Sequence, residues 1–445
     1  MKQLNNILLL ILIAMVTLAC GSGDATAPTL DAPLALNATD ITQNSFTAKW
    51  VGVANAKSYQ IDVSTANNFS SFVDGFEAKS VSDVKLEVSS LDANTDYFYR
   101  VRAVNGETLS ANSMTITTRT TIPEDVPLKE AAQSFFIGNV VQSNRMTGTH
   151  KEILNREYSS ITAEYEMKMN IMYPYEGAYD WTRSDAIVDF AVTNNLNLHG
   201  HALIWHNSTP DWIENYTGTD AEFEAMLEDY VKTVVTRYKG KVKSWDVVNE
   251  AIEDGSGDYR NSVFYQRMGA DYIAKCFKWA READEDVLLF YNDYNLCDNG
   301  NKLTAVLNMI DGLTTGNVPI NGLGFQMHIS YNWPDRSDIE AAAQKVVDRK
   351  LKLHFSELDI RANPNNDLTS LSSARSLELK AKYKEIAEVY TAIPNDNKYA
   401  LTIWGMKDNE SWLLDFWGHI DWPLLYDSNF DEKDAYYGFL EGLMK

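Results

Sequence analysis

Residues 221–250 read AEFEAMLEDYVKTVVTRYKGKVKSWDVVNE, and the fold follows from how this stretch is parsed. Met226, Leu227, Tyr230, Val231, Val234 and Val235 recur at spacings of three and four, which places them on one face of a helix over 221–238. A short apolar run at 244–248 follows and ends abruptly in Asn249 and Glu250. The same alternation of helix-length amphipathic stretch and strand-like run extends through residues 128–445. Strand candidates fall at 136–140, 160–164, 198–204, 244–248, 288–291, 322–327, 353–357 and 399–404. Eight strands alternating with helices predict an α/β fold of the (β/α)8 barrel type. The alternative is a doubly wound open sheet, whose usual companion is a Gly-rich phosphate loop; none follows any of these strands.

In a (β/α)8 barrel, function collects at the C-terminal ends of the strands. Those ends carry Glu164, His201, Trp205, His206, Asn249, Glu250, Asn292, Asp293, Gln326, His328, Glu357, Asp359 and Trp404. Seven of the eight strands end in such residues, which packing alone does not explain. Taken singly, His201 or His206 reads as a satisfied core histidine, Glu357 as a structural ion pair and Trp245 as core. Glu250 closes the fourth strand and Glu357 the seventh. Those strands lie on opposite sides of a barrel mouth, so their carboxyls can face each other across a sugar ring. Glycoside hydrolysis needs such a pair, one to protonate the leaving oxygen and one to attack the anomeric carbon.

Composition narrows the partners. The chain has 445 residues, 45% of them hydrophobic, and a formal charge of −23. Phosphate backbones would be repelled, so a nucleic-acid partner is not expected, whereas a neutral polysaccharide is compatible. Eleven Trp and 23 Tyr could stack on sugars, though aromatics are more often core. Three cysteines do not make a disulfide scaffold. Cys276 and Cys297 read as buried thiols.

The N-terminus reads as an address. Lys2 precedes an apolar run from Ile7 to Ala19, too short to span a bilayer and the length of a signal-peptide core. Thr17-Leu18-Ala19-Cys20-Gly21 resembles a bacterial lipobox, with Thr17 where Leu is usual. The expectation is a signal segment over 1–19, a lipidated Cys20, a tether over 20–29, and export to a membrane-anchored site at the cell envelope. Residues 30–120 then turn to period two, in Ser45-Phe46-Thr47-Ala48-Lys49-Trp50, Ser58-Tyr59-Gln60-Ile61-Asp62-Val63 and the run from Tyr97 to Val104. The segment resembles a fibronectin type III domain, with Trp50 as its buried tryptophan and Leu91 and Tyr97 at its tyrosine corner. Trp50 and Tyr59 sit on the inward phase, so a spacer is expected rather than a sugar-binding module. Residues 121–127, with two prolines, read as a linker.

From residue 128 onward the chain resembles glycoside hydrolase family 10, the xylanases. The resemblance rests on motifs in order: Leu128-Lys129-Glu130-Ala131-Ala132, Glu166-Met167-Lys168, the run from Gly200 to His206, Trp245 through Glu250, Gly324 through His328, Glu357-Leu358-Asp359, Trp404-Gly405 with Trp412, the run from Pro423 to Asp427, and Lys433 through Tyr436. It implies Glu250 as acid/base, Glu357 as nucleophile, Asn249 on the hydroxyl at sugar carbon 2, and His328 bonded to Glu357 and steadied by Asp359. It further implies a non-reducing-side wall of Lys168, His201, Trp205, Gln326, Trp404 and Trp412, with Glu164 and Tyr165 also contacting substrate. No metal or other cofactor is implied, and a monomer acting on xylan or xylo-oligosaccharides is expected. Two positions depart from the family pattern: Tyr165 stands where Asn is usual, and Ser208 where Gln is usual. Rival readings are a related β-1,4-glycanase acting on glucan or mixed-linkage glucan, and a non-catalytic surface glycan-binding lipoprotein.

Overall fold

The computed structural model describes residues 29–123 and 125–444. The signal segment, Cys20 and nearly all of the tether lie outside the described residues. The chain forms two compact units that divide after Pro123.

The first unit is an antiparallel sandwich. One sheet pairs Ala35–Thr39, Ser45–Trp50 and Lys85–Ser89; the other is built on Ser58–Ser64 and Asp96–Asn105, flanked by Lys79–Val81, Thr108–Leu109 and Ile116–Arg119. Alternate residues point inward, so Phe46, Ala48 and Trp50 meet Tyr59, Ile61, Tyr97, Tyr99 and Val101 in one core. Each large side chain buried there contributes roughly 1.5–3 kcal/mol. Tyr59 packs edge-on against Trp50 at 5.5 Å, and its hydroxyl accepts the Val53 N–H at 2.9 Å. The Tyr97 hydroxyl accepts the Asp92 N–H at 2.9 Å, the bond that a tyrosine corner makes. Among the described residues of this unit, none of the exposed large apolar side chains is aromatic.

The second unit is a closed parallel barrel. Its strands are Phe136–Val141, Ser160–Ala163, Asn197–Gly200, Val242–Asn249, Leu288–Asp293, Gly322–Phe325, Lys352–Arg361 and Lys398–Ile403. Each pairs in parallel with the next, and the eighth returns to the first through Leu401 opposite Ile137. The helix Asp220–Arg237 shows how sequence sets an element. Thr219 caps it reciprocally with Glu222, and Phe223, Leu227, Tyr230, Val231, Val234 and Val235 bury one stripe. Phe223 belongs to that stripe, whereas Met226 lies half-buried at its edge.

Two strands differ from the expected runs. The third ends at Gly200 and resumes as Ile204–Trp205 beside Val248 and Asn249; the sixth ends at Phe325 and resumes as His328–Ser330 beside the seventh. Period-two patterning does not reveal these breaks, because the residues inside them, His201 to Leu203 and Gln326 to Met327, stay buried like the strands on either side. Met327 turns through a left-handed conformation, φ 59°, between the two pieces of the sixth strand. The seventh strand runs on to Arg361, past the expected end at Glu357.

The barrel interior below the mouth is partly polar. His199 Nδ1 lies 2.6 Å from Ser244 Oγ, Ser244 also bonds the Tyr399 hydroxyl, and His354 Nε2 lies 2.8 Å from Thr402 Oγ1. Burial and the neighbouring His199 hold the His354 imidazole well below its ordinary value, so it stays neutral. Gly200 leaves the space that the buried Trp245 indole occupies: a Cβ there would lie 2.1 Å from the ring. Cys276 and Cys297 are buried thiols.

Candidate active site

Glu250 sits at the turn leaving the fourth strand with φ 56°, a left-handed conformation that a glutamate rarely adopts. Such strain costs about 1–3 kcal/mol and persists where the surroundings over-determine it. Three bonds do so here. The Glu250 N–H donates to the Asn292 carbonyl at 2.9 Å, its carbonyl accepts Arg260 Nε at 2.9 Å, and the next N–H, of Ala251, donates to the Tyr291 hydroxyl at 2.9 Å. The carboxyl is thereby turned back over the barrel axis, where Trp205 Nε1 donates to Oε2 and Gln326 Nε2 to Oε1, both at 2.9 Å.

Glu357 projects inward from the seventh strand. Asn292 Nδ2 donates to its Oε1 at 2.7 Å, and His328 Nε2 lies 3.2 Å from Oε2. The other ring nitrogen, Nδ1, lies 2.9 Å from Asp359 Oδ2, which also accepts Trp412 Nε1 at 2.9 Å. Burial opposes charge on His328, but Asp359 and Glu357 outweigh it and push its pKa up to about 10. The ring therefore donates from both nitrogens at neutral pH. Burial by itself would raise the Glu357 carboxyl; the His328 bond, with His201 and the His328 charge, reverses this and holds it below the ordinary value.

The two carboxylates are joined by amides. Gln326 Nε2, bonded to Glu250, is 3.3 Å from the Asn249 side-chain amide; Asn292 Nδ2, bonded to Glu357, is 3.0 Å from the same amide. Residues at the ends of the fourth, fifth, sixth and seventh strands thus form one run of close amide contacts from Glu250 to Glu357. Ser356 Oγ donates to Asn292 Oδ1 at 2.6 Å and completes it. Gly324 makes room, since a Cβ there would fall 2.1 Å from Asn292 Oδ1.

The opposite wall is aromatic and cationic. The Lys168 ammonium lies 4.6 Å from the centre of the Trp205 ring and 5.1 Å from that of Tyr165. Burial lowers its pKa, against the pull of Glu357, Glu164, Glu250 and Glu166. Glu164 accepts Gln142 Nε2 at 2.7 Å. His201 Nδ1 lies 2.9 Å from Asp246 Oδ2, and its ring meets Trp404 edge-on at 5.6 Å. Tyr165 is 41% exposed, whereas Ser208 is buried with its hydroxyl 3.4 Å from the Trp205 carbonyl.

Asn249, Glu250, His328, Glu357 and Asp359, together with Lys168, His201, Trp205, Gln326, Trp404 and Trp412, are thus brought together at the C-terminal strand ends, whereas Trp245, Cys276 and Cys297 are buried elsewhere. Sequence reasoning gave no role to Asn292, Tyr291, Arg260 or Asp246. Asn292 carried a signal, a polar residue ending a buried strand, and Asp246 lay inside the quoted run Trp245 through Glu250; Tyr291 and Arg260 had none, because their partners lie on different strands or loops. Among the described residues, no cluster of His, Cys, Asp or Glu is arranged to hold a metal ion.

A (β/α)8 barrel whose mouth presents two buried glutamates, one bonded to a charged imidazole and both walled by indoles, defines a glycoside-hydrolase type of site. The chain belongs to glycosyl hydrolase family 10, whose model matches residues 127–442, and residues 31–119 match the fibronectin type III domain. It is 36% identical over 348 residues to endo-beta-1,4-xylanase Xyn10C of Cellvibrio japonicus, covering 71% of this chain. It is 35% identical over 324 residues to endo-1,4-beta-xylanase B of Thermotoga neapolitana, covering 72% of this chain. The chain spans 57% of the length of the first and 92% of the second. A variant of Cellvibrio japonicus xylanase 10C solved with xylopentaose is similar over 93% of this chain and 90% of its own, with 30% identity and a TM-score of 0.70.

Proposed function

We propose that the protein is an endo-acting hydrolase of the β-1,4-xylosidic bonds of xylan, working by retaining double displacement. The observation that carries this is the pair Glu250 and Glu357, tied by one amide path, with only Glu357 bonded to the charged His328. Glu357 attacks the anomeric carbon while Glu250 protonates the leaving oxygen. Glu250 then takes a proton from the water that frees the glycosyl-enzyme. Asn249 bonds the hydroxyl on carbon 2 of the sugar being cleaved. Glu164, Tyr165, Lys168, His201, Trp205, Gln326, Trp404 and Trp412 hold the non-reducing side, the indoles against apolar sugar faces and the polar groups on hydroxyls. The named activities of the relatives support xylan over glucan.

The test is product analysis on xylan and on cellulose, for wild type and Glu357→Ala. Xylo-oligosaccharides from xylan alone are expected, and the variant should lose about four orders of magnitude or more in kcat. Azide should restore part of its cleavage with inverted product. Cleavage of cellulose but not xylan would overturn the substrate, and an active Ala variant would overturn the nucleophile.

We also propose that the protein is exported and anchored by lipid on Cys20. The support is the apolar run ending in Leu18-Ala19-Cys20-Gly21. Cys20→Ala should move the protein from the membrane fraction to the soluble fraction, stable anchoring needing more than one acyl chain. A wild-type protein already found in the soluble fraction would refute the anchor.

A further inference from the structure

After the eighth strand the chain forms a short helix, Trp412–Trp417. Ser411 caps its start and Gly418, left-handed at φ 66°, ends it with its N–H on the Leu414 carbonyl at 3.0 Å. Trp412 and Phe416 are one turn apart and therefore share a face, with ring centres 5.0 Å apart. Trp417 meets Phe416 edge-on at 5.1 Å. The Arg361 guanidinium, at the end of the seventh strand, lies 4.1 Å from the centre of the Trp417 ring and donates to the Pro364 carbonyl at 3.2 Å. Buried Leu413 fastens the helix from beneath. The two rings are thus held in place yet stay in water: Phe416 is 64% exposed and Trp417 49%.

Single exposed apolar side chains are ordinary, but rings held rigid at the surface beside a binding cleft mark a contact surface. This one is continuous with Trp412, whose ring lies 4.9 Å from His328. We propose that Phe416 and Trp417 extend the substrate cleft beyond Trp412 and stack on a further sugar unit of the xylan chain. The occupant follows from continuity with the site and from chemistry. A pyranose offers an apolar face to a ring, and a neutral polymer approaches a chain of charge −23 without repulsion, which an acidic partner would not. Rigid rings lose little entropy on binding, so the contact lowers the concentration of chain needed for productive binding and leaves the bond-breaking step alone.

The inference rests on the xylanase reading, and its test separates the two. The double variant Phe416→Ala/Trp417→Ala is compared with wild type on polymeric xylan and on an aryl β-xylobioside, and its retardation is measured by affinity electrophoresis in a xylan gel. The ratio of kcat/KM on polymer to that on the bioside should fall about fivefold through KM, the size of one aromatic contact. Retardation should weaken in parallel, and Phe416→Tyr with Trp417→Phe should recover most of both. Equal losses on both substrates would make the rings packing elements of the loop and overturn the platform. An unchanged ratio with unchanged retardation would also overturn it, as would a wild-type dimer by light scattering that the double variant dissociates, which would assign the face to a second copy. A wild type that cleaves neither substrate but is retarded in a variant-sensitive way would instead sink the catalytic reading and leave the platform standing.

Discussion

At the scale of one residue, His328 sets the charge state of the site. It titrates near 6.5 in an unfolded chain and is pushed up to about 10 in the fold, where burial is outweighed by Asp359 and Glu357. A group raised in this way contributes stability that is complete below about 6.5 and fades as pH rises through about 10. Glu357 has the opposite sign: held below the ordinary carboxylate value, it stabilises above that value and loses the contribution as pH falls through its own lowered pKa. His328→Gln removes the charge and keeps one donor. The acid limb of the kcat/KM profile should then move up by about one pH unit, since the imidazolium no longer favours the Glu357 anion. The alkaline loss of stability between about 7 and 10 should flatten in thermal melts of the same variant. An acid limb that stays in place would mean that Asn292, not His328, keeps Glu357 ionised.

At the scale of the element, the site depends on strand register. Asn292 and Gly324 are direct partners across the fifth and sixth strands, and the missing Cβ at Gly324 is where the Asn292 amide lies on its way to Glu357. Gly324→Ala should displace that amide. The expected result is a loss of at least about tenfold in kcat, with stability lowered by about 1–3 kcal/mol as for other overpacked core positions. Circular dichroism and melting would check that the barrel persists. A variant that melts early but keeps its kcat would show that the Asn292 bond does not position Glu357. The gaps in the third and sixth strands belong to the same scale, because they let Trp205 and His328 leave the regular pleat and reach the carboxylates.

At the scale of the molecule, two units each own a core, and the sandwich places Phe46, Trp50, Tyr59, Phe76, Tyr97 and Tyr99 inside its own. Removing residues 21–124 should therefore leave kcat/KM on soluble xylan within about twofold of the full chain, since the barrel's own burial supplies its stability. The barrel should also melt as a unit. A several-fold loss confined to insoluble xylan would show that the sandwich binds carbohydrate after all.

The periodicities, the eight strand-like runs and the polar residues ending them already specify a barrel with function at one mouth, because side-chain alternation and helix spacing are local properties. Glu250 and Glu357 were legible for the same reason, each closing a readable strand. What only the tertiary structure decided is how they are held. The left-handed turn at Glu250 depends on Asn292, Tyr291 and Arg260, and the amide path joins residues 43 to 77 positions apart in the chain. Such contacts follow from barrel closure and strand register, which set distances between segments that no local pattern encodes. The rings of Phe416 and Trp417 are the same case: in sequence they are two more apolar residues in a short helix, and only the packing of Leu413 beneath and Arg361 beside them shows that they face water next to Trp412.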